Sequence, residues 1–351
     1  MSIPFGERGG TARGLLDLAT GCYPAFLFGA PLGAVLPAFH FHDVTREWLE
    51  PRLRHVAENG YRTVTCDEIE AWVVRGVSPG PRAVALTFDD AWASVYSVAW
   101  PLLREHGLKA ILFAIPARVS DPDGAFVTWE QLRELQSSGV FDVQSHTRSH
   151  AMIFSGREIT GFVTPDYVND PILERPLVGE NATTRFLSPE ALGTPLHERR
   201  SRMSDARRFL PDEAVAERCR RYVVEHGGPA FFEQPDARAQ LERVAGTAAG
   251  EIEGDDRRVR AIRDELADGR AELNARLGGS SVRHVALPWG IAGAVATGAL
   301  GETGHATAFA ERPLRRRVIA AGDDRYQLMR LNGKFVTCLP GSGRRWFFST
   351  V

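Results

Sequence analysis

The sequence is short of cysteine: four in 351 residues, at Cys22, Cys66, Cys219 and Cys338, with no two spaced as Cys-x-x-Cys. That usage excludes a disulfide scaffold and a thiolate zinc cluster and fits a reduced compartment. A surplus of charge is missing as well. Lys plus Arg number 42 against 44 Asp plus Glu, a formal net charge of −2. A nucleic-acid binder would carry a basic excess or stripe, and the longest basic run here is Arg315-Arg316-Arg317. No nucleic-acid partner is expected. Long apolar runs are also lacking. Residues 24–41 are broken by Pro31, Pro37 and glycines, short of the ~20 residues that span a bilayer. Glu7, Arg8, Arg13 and Asp17 precede any apolar stretch, which argues against a signal peptide. The expectation is a cytoplasmic protein without a transmembrane segment.

What is present is ordinary globular material, 44% hydrophobic and 25% charged, enough for a large core. Residues 35–41 read as a strand and 48–58 as a helix with Leu49, Leu53 and Val56 on one face. Asn59-Gly60 then stops that helix. Further strands are expected at 62–65, 83–88, 110–115 and 140–144, with helices at 66–74, 95–105 and 128–137. Alternating strands and helices with short connections predict a parallel sheet, open or closed into a barrel. In either case chemistry belongs at the C-terminal ends of the strands. From about 155 to 250 the pattern changes to Pro-, Arg- and Glu-rich sequence with helical pieces, clearest at 213–224, and no sheet period. This stretch reads as a largely helical insertion or cap. A long helix is expected at 255–277, and strands return at 282–287, 306–309 and 327–331. The domain reading is an N-terminal segment, 1–34, followed by one domain, 35–351, interrupted at 155–250.

Two clusters carry chemistry. Thr87-Phe88-Asp89-Asp90 ends the strand from Ala83. Adjacent carboxylates are costly to bury unless a cation or a proton separates their roles, although an Asp in such a place also caps helices well. The second cluster is His146-Thr147-Arg148-Ser149-His150, after the strand at 140–144. Histidines at i and i+4 share a face when the turn is helical and can then bind one divalent ion.

Thr-Phe-Asp-Asp followed some 55 residues later by Ser-His-Thr-Arg-Ser-His resembles the first two motifs of the NodB-type polysaccharide deacetylases, carbohydrate esterase family 4. Phe41-His42-Asp43-Val44 resembles the family's first-strand segment, and Leu287-Pro288-Trp289-Gly290 its third motif. The resemblance covers about residues 35–150 and 255–335. It implies an irregular (β/α) barrel of about seven parallel strands and a divalent metal, usually zinc, held by Asp90, His146 and His150. Asp89 would be the general base on a metal-bound water, whose lowered pKa leaves little for the base to do. The backbone N–H of Trp289 would complete an oxyanion site. The implied activity is hydrolysis of an N-acetyl group on an amino sugar, oligosaccharide or glycan precursor.

The sequence departs from the family in three places. Ala91 stands where a glycine is common. Ala286 or Leu287 stands where an arginine often orients the base. Leu328-Met329-Arg330 stands where Leu-x-His supplies the general acid. His42, past the first strand, is the first candidate for that acid, followed by His305, His284 and His197. The departures keep two alternatives open: a deformylase or cyclic-amide hydrolase, and a non-catalytic glycan-binding relative.

Overall fold

The computed structural model describes residues 16, 18–180, 183–247 and 249–350. Glu7, Arg8, Arg13 and Asp17, on which the reading of the N-terminus rests, lie outside the described residues. The described residues divide into a barrel unit (within 16–149, 263–292 and 297–350) and an insertion unit (within 150–262, with 293–296).

The barrel unit is built on β1 (Ala38–Phe41), β2 (Arg62–Thr63), β3 (Ala83–Asp90), β4 (Ala110–Ala114), β5 (Phe141–Ser145), β6 (His284–Ala286), β7 (Thr307–Phe309) and β8 (Leu331–Asn332). Seven of them form one path, β7-β6-β5-β4-β3-β1-β8, all parallel, with β2 paired to the start of β3. A parallel bridge from Phe309, in β7, to Leu328, three residues ahead of β8, curls the two ends of the path towards each other. The result is the expected irregular (β/α) barrel.

Alternation along the strands sorts the core. Ala38, Ala85, Ile111, Phe113, Ala286, Phe309 and Leu328 fill the inside. Phe39, Phe41, Leu86, Phe88, Leu112 and Val143 pack outward against Leu49, Leu53, Leu102, Leu132 and Leu273 of the covering helices. The helix at Arg46–Glu58 starts earlier than expected because Thr45 accepts from the Trp48 N–H. Thr65 caps Cys66–Arg75 in a capping box with Glu68. The helix expected at 95–105 opens with a π-turn, Val95–Ala99, ahead of Pro101, whose missing N–H breaks the regular ladder. Phe26 and Leu27, in the 3-10 turn Ala25–Phe28, are buried in the same outer core.

The insertion unit corrects the expectation of a largely helical segment. Its helices at Glu213–Glu225 and Ala237–Ala245 accompany an antiparallel ribbon, Met152–Phe162 with Pro195–Ser201. Shorter antiparallel pairs join Leu177–Val178 to Arg185–Phe186 and Phe209–Pro211 to Gly250–Ile252. Pro195–Ser201 does alternate in burial, but its inward residues include His197, Arg199 and Ser201. A search for apolar period two cannot see a strand whose buried side chains are polar.

Candidate active site

Asp89 and Asp90 end β3, His146 follows β5, Leu287-Pro288-Trp289-Gly290 follows β6 and His42 follows β1. Each lies at a C-terminal strand end, where parallel barrels keep their chemistry. The helical turns that follow begin at Ala93, which puts Trp92, not either carboxylate, at the N-cap position.

Asp90, His146 and His150 are buried, and one ligand atom from each lies within 4.8 Å of the others. The unit boundary falls between Ser149 and His150, on the last residue of this turn. The turn is not helical. Thr147 (φ 63°) and His150 (φ 53°) are left-handed, and they bring the two imidazoles together by a route the i, i+4 argument did not foresee. Asp90 (φ 73°), Ala91 (φ 62°) and Trp289 (φ 54°) share that conformation. Five of the eight positive-φ non-glycine residues among those described therefore sit in the three motifs, where surrounding structure must hold the strain. At Asp90 the left-handed φ also breaks strand alternation, so both carboxylates address His146.

The His146 Nδ1–H donates to the Ala286 carbonyl at 2.7 Å. That fixes the tautomer and leaves Nε2 3.3 Å from Asp90 Oδ1. Burial lowers the His146 pKa, but the Asp90 and Asp89 charges outweigh it and raise it above its ordinary value. The pocket thus stabilises positive charge, and a two-imidazole, one-carboxylate donor set suits zinc and similar divalent ions. The residues fit the metal that the motifs imply.

Residues beyond the motifs support this set. The Trp92 indole N–H donates to Asp90 Oδ2 at 2.9 Å, and its ring stacks on Phe126 at 4.7 Å. Glu265, on the long helix, accepts from the Ser149 backbone N–H at 3.0 Å and the Ser149 hydroxyl at 2.5 Å. One turn further, Gly269 lies so close to the histidine turn that a Cβ would stand 2.7 Å from Arg148 N and Thr147 C. Nothing in the helical period of residues 255–277 marks either residue, whereas Trp92 is legible as the aromatic two places after the Asp pair.

Asp89 is held by Arg330. The guanidinium donates to both carboxylate oxygens, at 2.6 and 2.7 Å, and to Thr87 Oγ1 at 2.9 Å. It lies 5.7 and 5.5 Å from the Phe113 and Phe309 ring centroids. Burial raises the Asp89 pKa, but Arg330 outweighs it and holds the carboxyl well below the usual range. The arginine missing from the third motif is thus supplied from the approach to β8.

Among the candidate acids only His42 stands at Asp89, with Nε2 3.9 Å from Oδ2 and a side chain 51% exposed. His284 opens β6 at the N-terminal end of the barrel, bonded to Thr307 and Asp67. His305 precedes β7 and bonds Thr303. His197 belongs to the insertion unit. His40 belongs to no motif, but Ala38, His40 and His42 share one face by period two. Burial, aided by Arg330, lowers its pKa to about 3, so it stays neutral. Trp289 is half-buried, and its motif is tied to β7 by the Glu311 N–H, which donates to the Gly290 carbonyl at 2.8 Å.

Fold and motif geometry together define a (β/α) barrel of the deacetylase type. The polysaccharide deacetylase family model matches residues 76–175, the stretch from β3 through both motifs and beyond. YxkH of Bacillus subtilis (strain 168), a polysaccharide deacetylase by name, is 28% identical over 125 residues, 33% of this chain and 44% of that protein. The poly-beta-1,6-N-acetyl-D-glucosamine N-deacetylase of Escherichia coli (strain K12) is 32% identical over 144 residues, 37% of this chain and 21% of that one. The match spans less than half of each relative's length. Among solved structures, the BpsB deacetylase domain from Bordetella bronchiseptica superimposes with TM-score 0.56 at 16% identity, covering 86% of this chain and 97% of that one. A de-N-acetylase from Aggregatibacter actinomycetemcomitans gives 0.50 at 16%, covering 85% and 94%. The resemblance read from the motifs is thereby established, and the structural likeness is one of fold.

Proposed function

We propose that the protein is a metal-dependent amide hydrolase that removes N-acetyl groups from an N-acetylglucosamine polymer or a precursor of one. The observation that carries this is the buried Asp90–His146–His150 cluster beside an ionised, arginine-clamped Asp89. The names of the relatives supply the substrate class. Asp90, His146 and His150 would hold the ion, which when bound supplies a Lewis acid at the acyl carbonyl. Asp89 accepts the proton of the attacking water. Arg330 fixes both Asp89 oxygens, so the base keeps one orientation and stays ionised across the working range. The Trp289 backbone N–H donates to the developing oxyanion, and His42 delivers a proton to the leaving amine. The cytoplasmic location expected from the sequence is kept as part of this proposal and is tested by cell fractionation.

The test is metal content and acetate release on the same samples of wild type, His146→Ala/His150→Ala and Asp89→Asn. About one divalent ion per chain is expected in wild type, lost together with activity in the double variant. Asp89→Asn should keep the ion and lose roughly 10²–10⁴-fold in kcat. Turnover that survives Asp89→Asn would sink the assignment of the base. A second reading, hydrolysis of formamides or cyclic amides, is favoured by Arg330 standing where the family's acid histidine is expected. Release of formate or ring opening in a substrate panel, without acetate, would establish it. Glycan binding with no turnover on any of these amides would support the non-catalytic reading.

A further inference from the structure

The insertion unit contains a cavity of about 490 Å³. Its walls draw on both of the unit's apolar clusters, Phe154 and Leu187 from one and Ile159 and Val215 from the other. Exposed Glu180, Thr183, Arg185, Asp212 and Glu213 line its solvent-facing rim, and the apolar walls lie with buried Phe154, Leu187 and Val215. A space of this size, with apolar walls and a few fixed polar groups, has the character of a small-molecule site.

Two polar side chains are fixed in the wall. His197 Nδ1 lies 3.0 Å from the carbonyl oxygens of both Arg157 and Glu158, so Nδ1 carries the proton. The ring is clamped edge-on between Phe154 at 5.1 Å and Phe209 at 4.9 Å. His197 is 3% exposed, lines the cavity, and among the described residues has no partner at Nε2. Burial lowers its pKa, which keeps the ring neutral and Nε2 an acceptor.

Arg208 is the second. Its Nη2 donates to the Leu177 and Gly179 carbonyls at 2.8 and 2.9 Å, and among the described residues it has no ion-pair partner. Of the other charges on the wall, Arg220 pairs with Glu213 at 2.7 Å and Glu180 with Arg257, while Asp212 accepts from the Ala214 N–H at 3.0 Å and keeps its negative charge. Exposed Arg185 adds further positive charge. The charged side chains on the wall, three arginines against three carboxylates, sum to zero, so an anion's seat here rests on the Arg208 guanidinium, which meets backbone carbonyl oxygens.

We infer that this cavity binds a small amphipathic anion, with its apolar body against Phe154, Leu187 and Val215, a hydrogen-bond donor on His197 Nε2 and its negative head on Arg208. This site is independent of the deacetylase reading and survives if that reading fails.

The probe is 1-anilinonaphthalene-8-sulfonate, which carries an aromatic body, an N–H donor and an anion. N-phenyl-1-naphthylamine is its uncharged counterpart. Fluorescence titration of the full chain should give one saturable site, with the sulfonate bound roughly ten-fold more tightly. A melting temperature that rises with probe concentration identifies native-state binding. Arg208→Gln should remove the preference for the anion, and Arg208→Lys should retain most of it. Ala216→Trp, which fills the cavity, should abolish binding of both probes. If that variant does not fold by circular dichroism, the smaller Ala191→Leu should weaken both several-fold. Non-saturable binding, binding unchanged in a folded cavity-filled variant, or an anion preference that survives Arg208→Gln would overturn the inference.

Discussion

The two units bury charge for opposite purposes. In the barrel unit the side chains inside the strands are mostly apolar, and Asp89, Asp90, His146 and Arg330 gather at the mouth. In the insertion unit buried charge runs through the core. Arg202 pairs with Glu253, Arg199 reaches Asp170 at 3.3 Å, and the Arg208 backbone N–H donates to Glu253 at 2.6 Å. A buried ion pair can thus organise a reaction or merely fix a fold. Burial alone does not distinguish the two, but what the pair faces does: Arg330–Asp89 sits beside the metal ligands, whereas Arg202–Glu253 faces neighbouring backbone.

Breaking the two pairs in parallel is the sharpest test of that contrast. Glu253→Gln leaves the 4%-exposed Arg202 without its counter-charge, and a loss of roughly 3–5 kcal/mol is expected. Chemical denaturation should show it, while metal content of the folded protein stays unchanged. Arg330→Met acts on the reaction. Kcat should fall roughly 10²-fold, with partial rescue in Arg330→Lys. With the guanidinium gone, burial raises the Asp89 pKa, so the acid limb of the rate profile should move to higher pH. Equal stability losses with no shift of the limb would assign both pairs a purely structural role.

The same contrast explains what the sequence could reveal. The barrel strands were legible because Ala83–Asp90 and Ala110–Ala114 are short apolar runs, the first of them ended by motif residues. The Asp and His clusters were legible because two matching spacings rarely coincide. Arg330 was read only as a missing histidine, since its bond to Asp89 spans 241 positions and leaves no local trace. Glu265 and Gly269 were invisible for the same reason. The ribbon at Pro195–Ser201 escaped because its inward residues include His, Arg and Ser.

Gly269 offers a smaller test of how the barrel positions its ligands. A Cβ there meets backbone atoms of Thr147 and Arg148 at 2.7 Å, so the turn or the helix must move. Gly269→Ala should cost about 1–3 kcal/mol and weaken metal binding, read by competition with a chelator. Helix propensity alone predicts the opposite sign, since alanine is favoured over glycine by about 1 kcal/mol.

Acid sensitivity follows from the barrel's neutral buried histidines. Burial, then the Arg270 charge, lowers the His305 pKa from 6.5 to about 3, and His40 is lowered to about 3 as well. Below about pH 6.5 the unfolded chain binds protons at these sites that the folded chain refuses. Their contribution is complete above that pH and is lost as pH falls towards 3, at up to about 1.4 kcal/mol per pH unit for each histidine. Denaturation from pH 7 to 4 should show the slope, and His305→Leu should flatten it by up to one histidine's share.

The least effect is expected where the family's glycine is replaced. Ala91 has φ 62°, a conformation that costs an L-residue about 1–2 kcal/mol. Ala91→Gly removes that strain, but it also loosens the unfolded chain by about 0.4–1 kcal/mol. The methyl group it deletes is fully buried and contributes about 0.8 kcal/mol. The opposing effects nearly cancel. The loop is held in either case by the Val127 N–H, which donates to the Ala91 carbonyl at 2.9 Å, and by the Trp92–Phe126 bridge. Stability within about 1 kcal/mol of wild type and unchanged metal content are therefore expected. A glycine variant that gained both stability and turnover would show that the alanine strains the Asp89–Asp90 loop beyond what these contacts offset.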